Sequence, residues 1–310
     1  MTDLRDYVRE YLALRQALGY QMSKVEARLN EFVTFLEMKR ADFITAELAI
    51  AWASESSRGH RVSCSHRLQV ARQFAKYMSA ADCRTQVPPT RAIPRPAVVL
   101  RPYIYTEDEI LRLMEAARNL FSPRKLRCHT YTCLVGLLAV TGLRSGEAAQ
   151  LRNEDVDLAQ GLLTIRDTKF RKSRLVPIHS TTAKALAGYA VRRDAFLGKV
   201  SVPTFFISDR RKPISDSGLH ATFITICRTA GIENRATGRN PRMHDMRHRF
   251  AVNTLLNWYR NGEDVEQRLP VLSTFLGHGH VQDTYWYLSS TPELLGAACQ
   301  RLEQRWEGLR

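Results

Sequence analysis

The chain has 310 residues, 44% of them hydrophobic, and its 46 Lys+Arg against 31 Asp+Glu leave a formal net charge of +15. That length predicts two domains, each able to bury a core, and the charge predicts a polyanion as partner, nucleic acid first. No stretch approaches 18 uncharged apolar residues, which excludes a membrane-spanning helix.

The start, Met1-Thr2-Asp3-Leu4-Arg5, has no apolar signal region, and the six cysteines form no Cys-x-x-Cys pair, so the expected location is the reducing cytoplasm, at the nucleoid. His60, Cys64 and His66 come nearest to a metal set, but they lack a second pair and are assigned a structural role.

Residues 1–83 read as helical. Leu4, Tyr7, Val8, Tyr11 and Leu14 recur at helical spacing, and Gly19 closes that helix. Ser23 with Glu26 predicts a capping box for the next helix, Thr45 opens a third and Ser63 a fourth. The polar side of the fourth carries Arg67, Arg72 and Lys76, candidates for a phosphate backbone or an ordinary solvated face. Residues 84–104 read as an extended linker, because Pro88, Pro89, Pro94, Pro96 and Pro102 forbid a helix. Arg91 and Arg95 within it are further DNA-contact candidates.

Residues 105–310 form the second domain. Thr106 with Glu109 predicts a capping box. A buried helix over 130–140 stops at Thr141-Gly142, and Arg144 follows at once. Leu162–Ile165 and Arg174–Ile178 predict a hairpin around the basic loop Lys169-Phe170-Arg171-Lys172, in which Arg171 and Lys172 are DNA-contact candidates, and residues 204–208 a third short strand. From about Ser217 the pattern is helical again. His244 and Arg247, three apart, share one helix face. Leu276-Gly277-His278 forms a turn, Tyr287 follows, and a last helix runs from Pro292 to about Trp306. The expected class is therefore mainly α with a small antiparallel β-sheet, an α+β domain behind a helical amino-terminal domain.

A phenol with a pKa of about 10 is a nucleophile only among cations and a base. Arg144, Lys169, His244 and Arg247 supply those groups. Breaking a phosphodiester needs a nucleophile, cations on the non-bridging oxygens, and an acid for the leaving 5′-oxygen. Arginine suits the second task through its planar, permanently charged fork, and lysine on a hairpin loop suits the third. No carboxylate cluster is arranged for divalent metal, so no cofactor is expected. Tyr285 stands as the rival nucleophile and Lys172 as the rival acid. His244 could instead be a core histidine. His248 and His280 read as structural or DNA-facing.

In the order of these motifs the chain resembles the tyrosine recombinases, the phage integrase family. The segment Thr141-Gly142-Leu143-Arg144-Ser145-Gly146-Glu147 is similar to the box with the first catalytic arginine, and Lys169 to the hairpin lysine. His244-Asp245-Met246-Arg247 matches the His-x-x-Arg box, His278 the third histidine position, and Tyr287 the nucleophile; the chain departs from the pattern at none of these positions. The motifs cover residues 106–290; residues 1–100 match in shape alone, as a core-site DNA-binding domain. The resemblance implies that Tyr287 forms a 3′-phosphotyrosine link, that Arg144, Arg247 and His278 stabilise the pentacoordinate state, that Lys169 protonates the 5′-oxygen, and that His244 assists proton transfer. Glu147 would buttress the first arginine. It also implies double-stranded DNA as partner, no ATP, four protomers on two duplexes, and a C-terminal helix exchanged between neighbours. A site-specific recombinase of a mobile element, Xer-like or transposon-borne, is the leading expectation. A type IB topoisomerase and a non-cleaving DNA-binding accessory are the alternatives.

Overall fold

A computed structural model describes residues 3–20, 22–55, 61–93, 102–166, 173–233, 240–288 and 291–307, with the side chains of Ser23, Arg61, Val62, Ser63, Gln304, Arg305 and Glu307 left aside. The chain divides into two compact units, Met1–Val99 and Leu100–Arg310. The folding class is the expected one, helices with one three-stranded antiparallel sheet. Among the described residues no helix is long and apolar enough to cross a membrane.

The first unit holds α1 (Leu4–Ala17), α2 (Ser23–Met38), α3 (Ala46–Ser54) and α4 (Arg61–Met78). Leu29, Phe32, Val33 and Leu36 of α2 meet Trp52 of α3 and Phe74 and Ala75 of α4 in a core closed to solvent. Asp3 and Thr45 cap α1 and α3 through their side chains. Three expectations need correction. Leu14 is half exposed and lies outside the core. Ser23 does not cap α2: Met22, itself buried, already has helical dihedrals, so Ser23 is the first residue inside the helix and not before it. And residues 84–93 are not a free spacer. The Gln86 backbone N–H donates to the Ile44 carbonyl at 2.8 Å, its side chain accepts from Ala46, and Ala92 and Ile93 pack on the core.

The second unit begins with α5 (Glu107–Arg118), where Thr106 and Glu109 form the expected capping box. The apolar α6 (Arg127–Thr141) runs through the centre and buries Leu134, Val135 and Leu138 against α5, α8 (Ser180–Leu197) and α10 (Met243–Arg260). Strands β1 (Val156–Asp157), β2 (Leu162–Ile165) and β3 (Arg174–Pro177) pair in that order, with Leu163 opposite Val176. Leu163, Ile165 and Val176 point inward while Leu175 is exposed, the alternation of a one-sided sheet. Residues 204–208 add no strand. They meet loop residues through isolated bridges, Arg152 to Thr204 and Ile207 to Pro213, so no ladder propagates. Helices α9 (Asp216–Thr229), α11 (Val265–Leu276), α12 (Gln282–Leu288) and α13 (Pro292–Glu307) complete the unit. A second core gathers Val252, Leu255, Leu272, Leu276 and Leu294, and Tyr287 is part of it. Helix α13 lies along α10 of the same chain and leaves Leu295, Leu302 and Trp306 exposed.

Candidate active site

Two helix ends build the site. Helix α6 stops at Gly142, whose φ of 60° is left-handed and whose missing Cβ leaves room for the Phe250 ring. The chain then turns so that Arg144 precedes α7 (Ser145–Ala149). Helix α11 stops at Gly277, with φ 72°. That left-handed φ favours glycine, and a Cβ there would come within 2.5 Å of the Arg174 guanidinium, which would have to shift.

The last carbonyls of α11 are orphaned by helix geometry, and cations are favoured at that end. Three consecutive carbonyls each receive a different arginine. Arg174 donates from Nε to Phe275 at 2.8 Å, Arg247 from Nη2 to Leu276 at 2.7 Å, and Arg144 from Nη2 to Gly277 at 3.0 Å. Arg247 also donates from Nη1 to the Gly142 carbonyl at 3.0 Å, so one buried guanidinium ties both helix ends together. Glu147 holds the other two arginines. It accepts from Arg144 Nη1 at 2.7 Å and from Arg174 Nη2 at 2.8 Å, and it takes the Arg144 backbone N–H at 3.0 Å. Burial pushes its carboxyl pKa up, but the bonds and charge of Arg174 and Arg144 outweigh burial and leave it lowered.

This clamp faces Tyr287 and His278. Tyr287 is buried on α12, close enough to Arg247 to feel its charge, with its ring 6.1 Å from that of His278 and nearly parallel at 14°. Burial raises the phenol pKa, and the cations Arg247 and Arg144 only partly offset this, so the phenol is protonated at neutral pH. His278 makes a 2.7 Å contact from Nδ1 to the Thr284 hydroxyl. Burial, then Arg247 and Arg144, push its pKa down to about 4. His248 packs 5.6 Å from Tyr287 and 4.9 Å from His244, and burial with His244 lowers it to about 4 as well. His244 is exposed on the first turn of α10. Partial desolvation, then Arg247 and Arg242, lower its pKa. Arg247 itself is pushed down to about 10, first by burial and then by Arg144, which leaves it a cation at neutral pH.

The sequence-expected residues Arg144, Glu147, His244, Arg247, His278 and Tyr287 thus meet in one place. Tyr285 is half exposed outside the cluster. Lys169, Arg171, Lys172, Arg95 and His60 lie outside the described residues. Of the other DNA-contact candidates, Lys76 and Arg91 are exposed. Arg67 stacks 4.1 Å over Trp52 and pairs with Glu31, and Arg72 donates to the Pro88 carbonyl, contacts within their own unit. Arg174, Thr284 and His248 are site residues that the motif order did not single out. A charged residue opening an otherwise apolar strand was the available signal for Arg174, and Thr284 had none.

The buried histidines give the stability a definite pH dependence. His278 and His248 titrate near 4 when folded and near 6.5 when unfolded. Between those values the unfolded chain holds more protons, so stability rises with pH from about 4 to about 6.5 and levels off above, by at most about 1.4 kcal/mol per pH unit for each ring. The lowered Glu147 acts in the same direction at the acid end. Melting temperatures measured from pH 4.5 to 7.5 are expected to climb and then flatten; a fall across that range contradicts the placement of the two rings.

A family model described as the phage integrase family matches residues 104–293. The protein y4rB of Sinorhizobium fredii (strain NBRC 101917 / NGR234), provisionally named an integrase/recombinase, is 44% identical over 99% of this chain and 99% of its own length. The solved structure of the Tn1549 transposon integrase in complex with transposon right end DNA is 13% identical with a TM-score of 0.67, covering 98% of this chain and 99% of that one. A lambda integrase tetramer bound to a Holliday junction is 19% identical with a TM-score of 0.61, covering 92% and 77%. The two structures share the fold, and the family match and the full-length relative fix the membership: the chain belongs to the phage integrase family of tyrosine site-specific recombinases, enzymes that cut and rejoin DNA strands.

Proposed function

We propose that this chain is the recombinase of a mobile element and that Tyr287 is its nucleophile. The observation that carries the reading is the Arg247 guanidinium. Its charge acts on the buried Tyr287 phenol while it is anchored to the Gly142 and Leu276 carbonyls, beside Arg144 and His278. A phosphate placed against those cations lies next to the one buried tyrosine hydroxyl of the cluster.

In the proposed reaction the Tyr287 oxygen attacks the scissile phosphorus, the bond to the 5′-oxygen breaks, and a 3′-phosphotyrosine forms. The bond energy stays in that link, so rejoining draws on no ATP. Arg144, Arg247 and His278 carry the charge that builds on the non-bridging oxygens, each donor worth about 10²–10³ in rate. His244, at the open edge of the cluster, assists removal of the phenol proton. Lys169, which falls between β2 and β3 in the sequence, protonates the leaving oxygen. Four protomers acting on two duplexes in the cytoplasm complete the reading. The fold shared with a tetrameric integrase supports that assembly, as do the apolar residues Leu295, Leu302 and Trp306 left open on α13.

The acid role is testable by changing the leaving group. Lys169→Ala is expected to cleave ordinary duplex about 10²–10⁴-fold more slowly. A duplex with sulfur at the scissile 5′-bridging position leaves as a thiolate that needs no proton, and the variant is expected to cleave it nearly as fast as wild type does. Equal impairment on both substrates assigns the proton to another residue.

A further inference from the structure

Thr284 is closed to solvent on α12, and its hydroxyl lies 2.7 Å from Nδ1 of His278. A hydroxyl carries one proton to donate, and leaving a buried donor unmet is costly. Among the described residues the His278 ring nitrogen is the hydroxyl's hydrogen-bond partner. The proton of the hydroxyl therefore goes to Nδ1, which accepts it with its lone pair. Burial and the adjacent Arg247 and Arg144 keep this imidazole neutral near pH 7, so it holds a single ring proton. With Nδ1 accepting, that proton sits on Nε2, at the opposite edge of the ring.

The tautomer matters to the chemistry proposed above. An Nε2–H facing a non-bridging phosphate oxygen is a donor that strengthens as charge builds; a lone pair in its place repels that oxygen. Thr284 also stands three residues before Tyr287 on α12, one turn away on the same face. One helical turn therefore sets the orientation of the histidine and carries the nucleophile. The near-parallel stacking of the two rings fixes the imidazole plane.

Resting on the reading that His278 meets the scissile phosphate, we propose that Thr284 is a positioning residue that holds His278 in the Nε2–H tautomer.

Two substitutions test it. Thr284→Val keeps the volume and removes the hydroxyl, and Thr284→Ser keeps the hydroxyl. The first readout is the ¹⁵N spectrum of the histidine rings in the full-length free protein, with the His278 signals assigned by their loss in His278→Gln. Wild type and Thr284→Ser are expected to show the single Nε2–H pattern, and Thr284→Val to lose it to a mixture of the two tautomers. The second readout is single-turnover cleavage of a nicked duplex that traps the covalent complex. Thr284→Val is expected to lose about 10- to 100-fold in rate, less than outright removal of a donor, with DNA binding near wild type, a modest fall in melting temperature from the unmet Nδ1, and the rate restored in Thr284→Ser. An Nδ1–H pattern in wild type overturns the proposal without any variant, as does a Thr284→Val protein that keeps both the Nε2–H pattern and the wild-type rate. If wild type forms no covalent complex, the active-site reading fails, and the ring spectra of the free protein still decide the role of Thr284.

Discussion

Tyr287→Phe is expected to bind its DNA site as wild type does and to form no covalent complex. The substitution removes one oxygen from a side chain packed with Val252, Leu255, Leu272, Leu276 and Leu294, so the core loses no volume that matters. Arg247 keeps the Gly142 and Leu276 carbonyls, which limits the stability cost to about 1 kcal/mol. Catalysis loses its covalent route entirely. Enzymes commonly supply factors of about 10⁶ or more over the uncatalysed reaction, and phenylalanine supplies no oxygen to attack phosphorus, so cleavage is expected to fall at least about 10⁴-fold, to background. Tyr285→Phe, on the half-exposed ring two residues earlier, is expected to cleave at the wild-type rate. Gel-shift binding and denaturing-gel trapping on the same nicked duplex measure both quantities.

Glu147→Ala is expected to damage the whole site and not just one of its members. This carboxylate is the shared partner of Arg144 and Arg174, and its side chain and that of Arg174 are only 10% and 9% exposed. Removing one partner of a buried charge network leaves the others uncompensated, at about 3–5 kcal/mol, a large share of the roughly 5–15 kcal/mol that keeps a protein folded. Arg144 would also lose the bonds that aim it, to its backbone N–H and to Nη1. Cleavage is therefore expected to vanish together with a lowered urea midpoint. Glu147→Gln keeps two acceptor lone pairs but turns an amide NH₂ toward a guanidinium, and it is expected to fall between alanine and wild type. A Glu147→Ala protein as stable and as active as wild type would mean that the three arginines are held by the α11 carbonyls alone.

Part of the candidate site was legible in the sequence because Arg144 and His278 stand at chain reversals marked by glycine. Gly142 and Gly277 mark the two helix ends, and Arg144 and His278 follow them within two residues. The α5 capping box and the β2–β3 hairpin were readable for a similar reason, since local bonds and a period of two decide them. Other features depend on what lies across the fold. The Arg174 side chain opens a strand, and only the approach of α11 shows that it caps Phe275 and pairs with Glu147. Thr284 is an ordinary helical threonine until His278 turns toward it. Helix α8 escaped notice because Tyr189, Arg193 and Leu197 are buried on one side while Val191 is exposed, which blurs its apolar stripe. Ser23 and the proline-rich segment misled for one reason: the burial of Met22, Ala92 and Ile93 overrode local preference.

The buried tyrosine beside the arginines at the end of α11, and not its exposed neighbour, is expected to join the DNA. The most direct measurement is to trap wild-type protein on a nicked duplex carrying its own element end, digest the complex, and locate the nucleotide adduct by fragmentation mass spectrometry within the peptide that contains both residues. The account predicts the adduct on Tyr287. An adduct on Tyr285 would contradict it, because the reacting hydroxyl would then lie outside the Arg144–Arg247–His278 cluster.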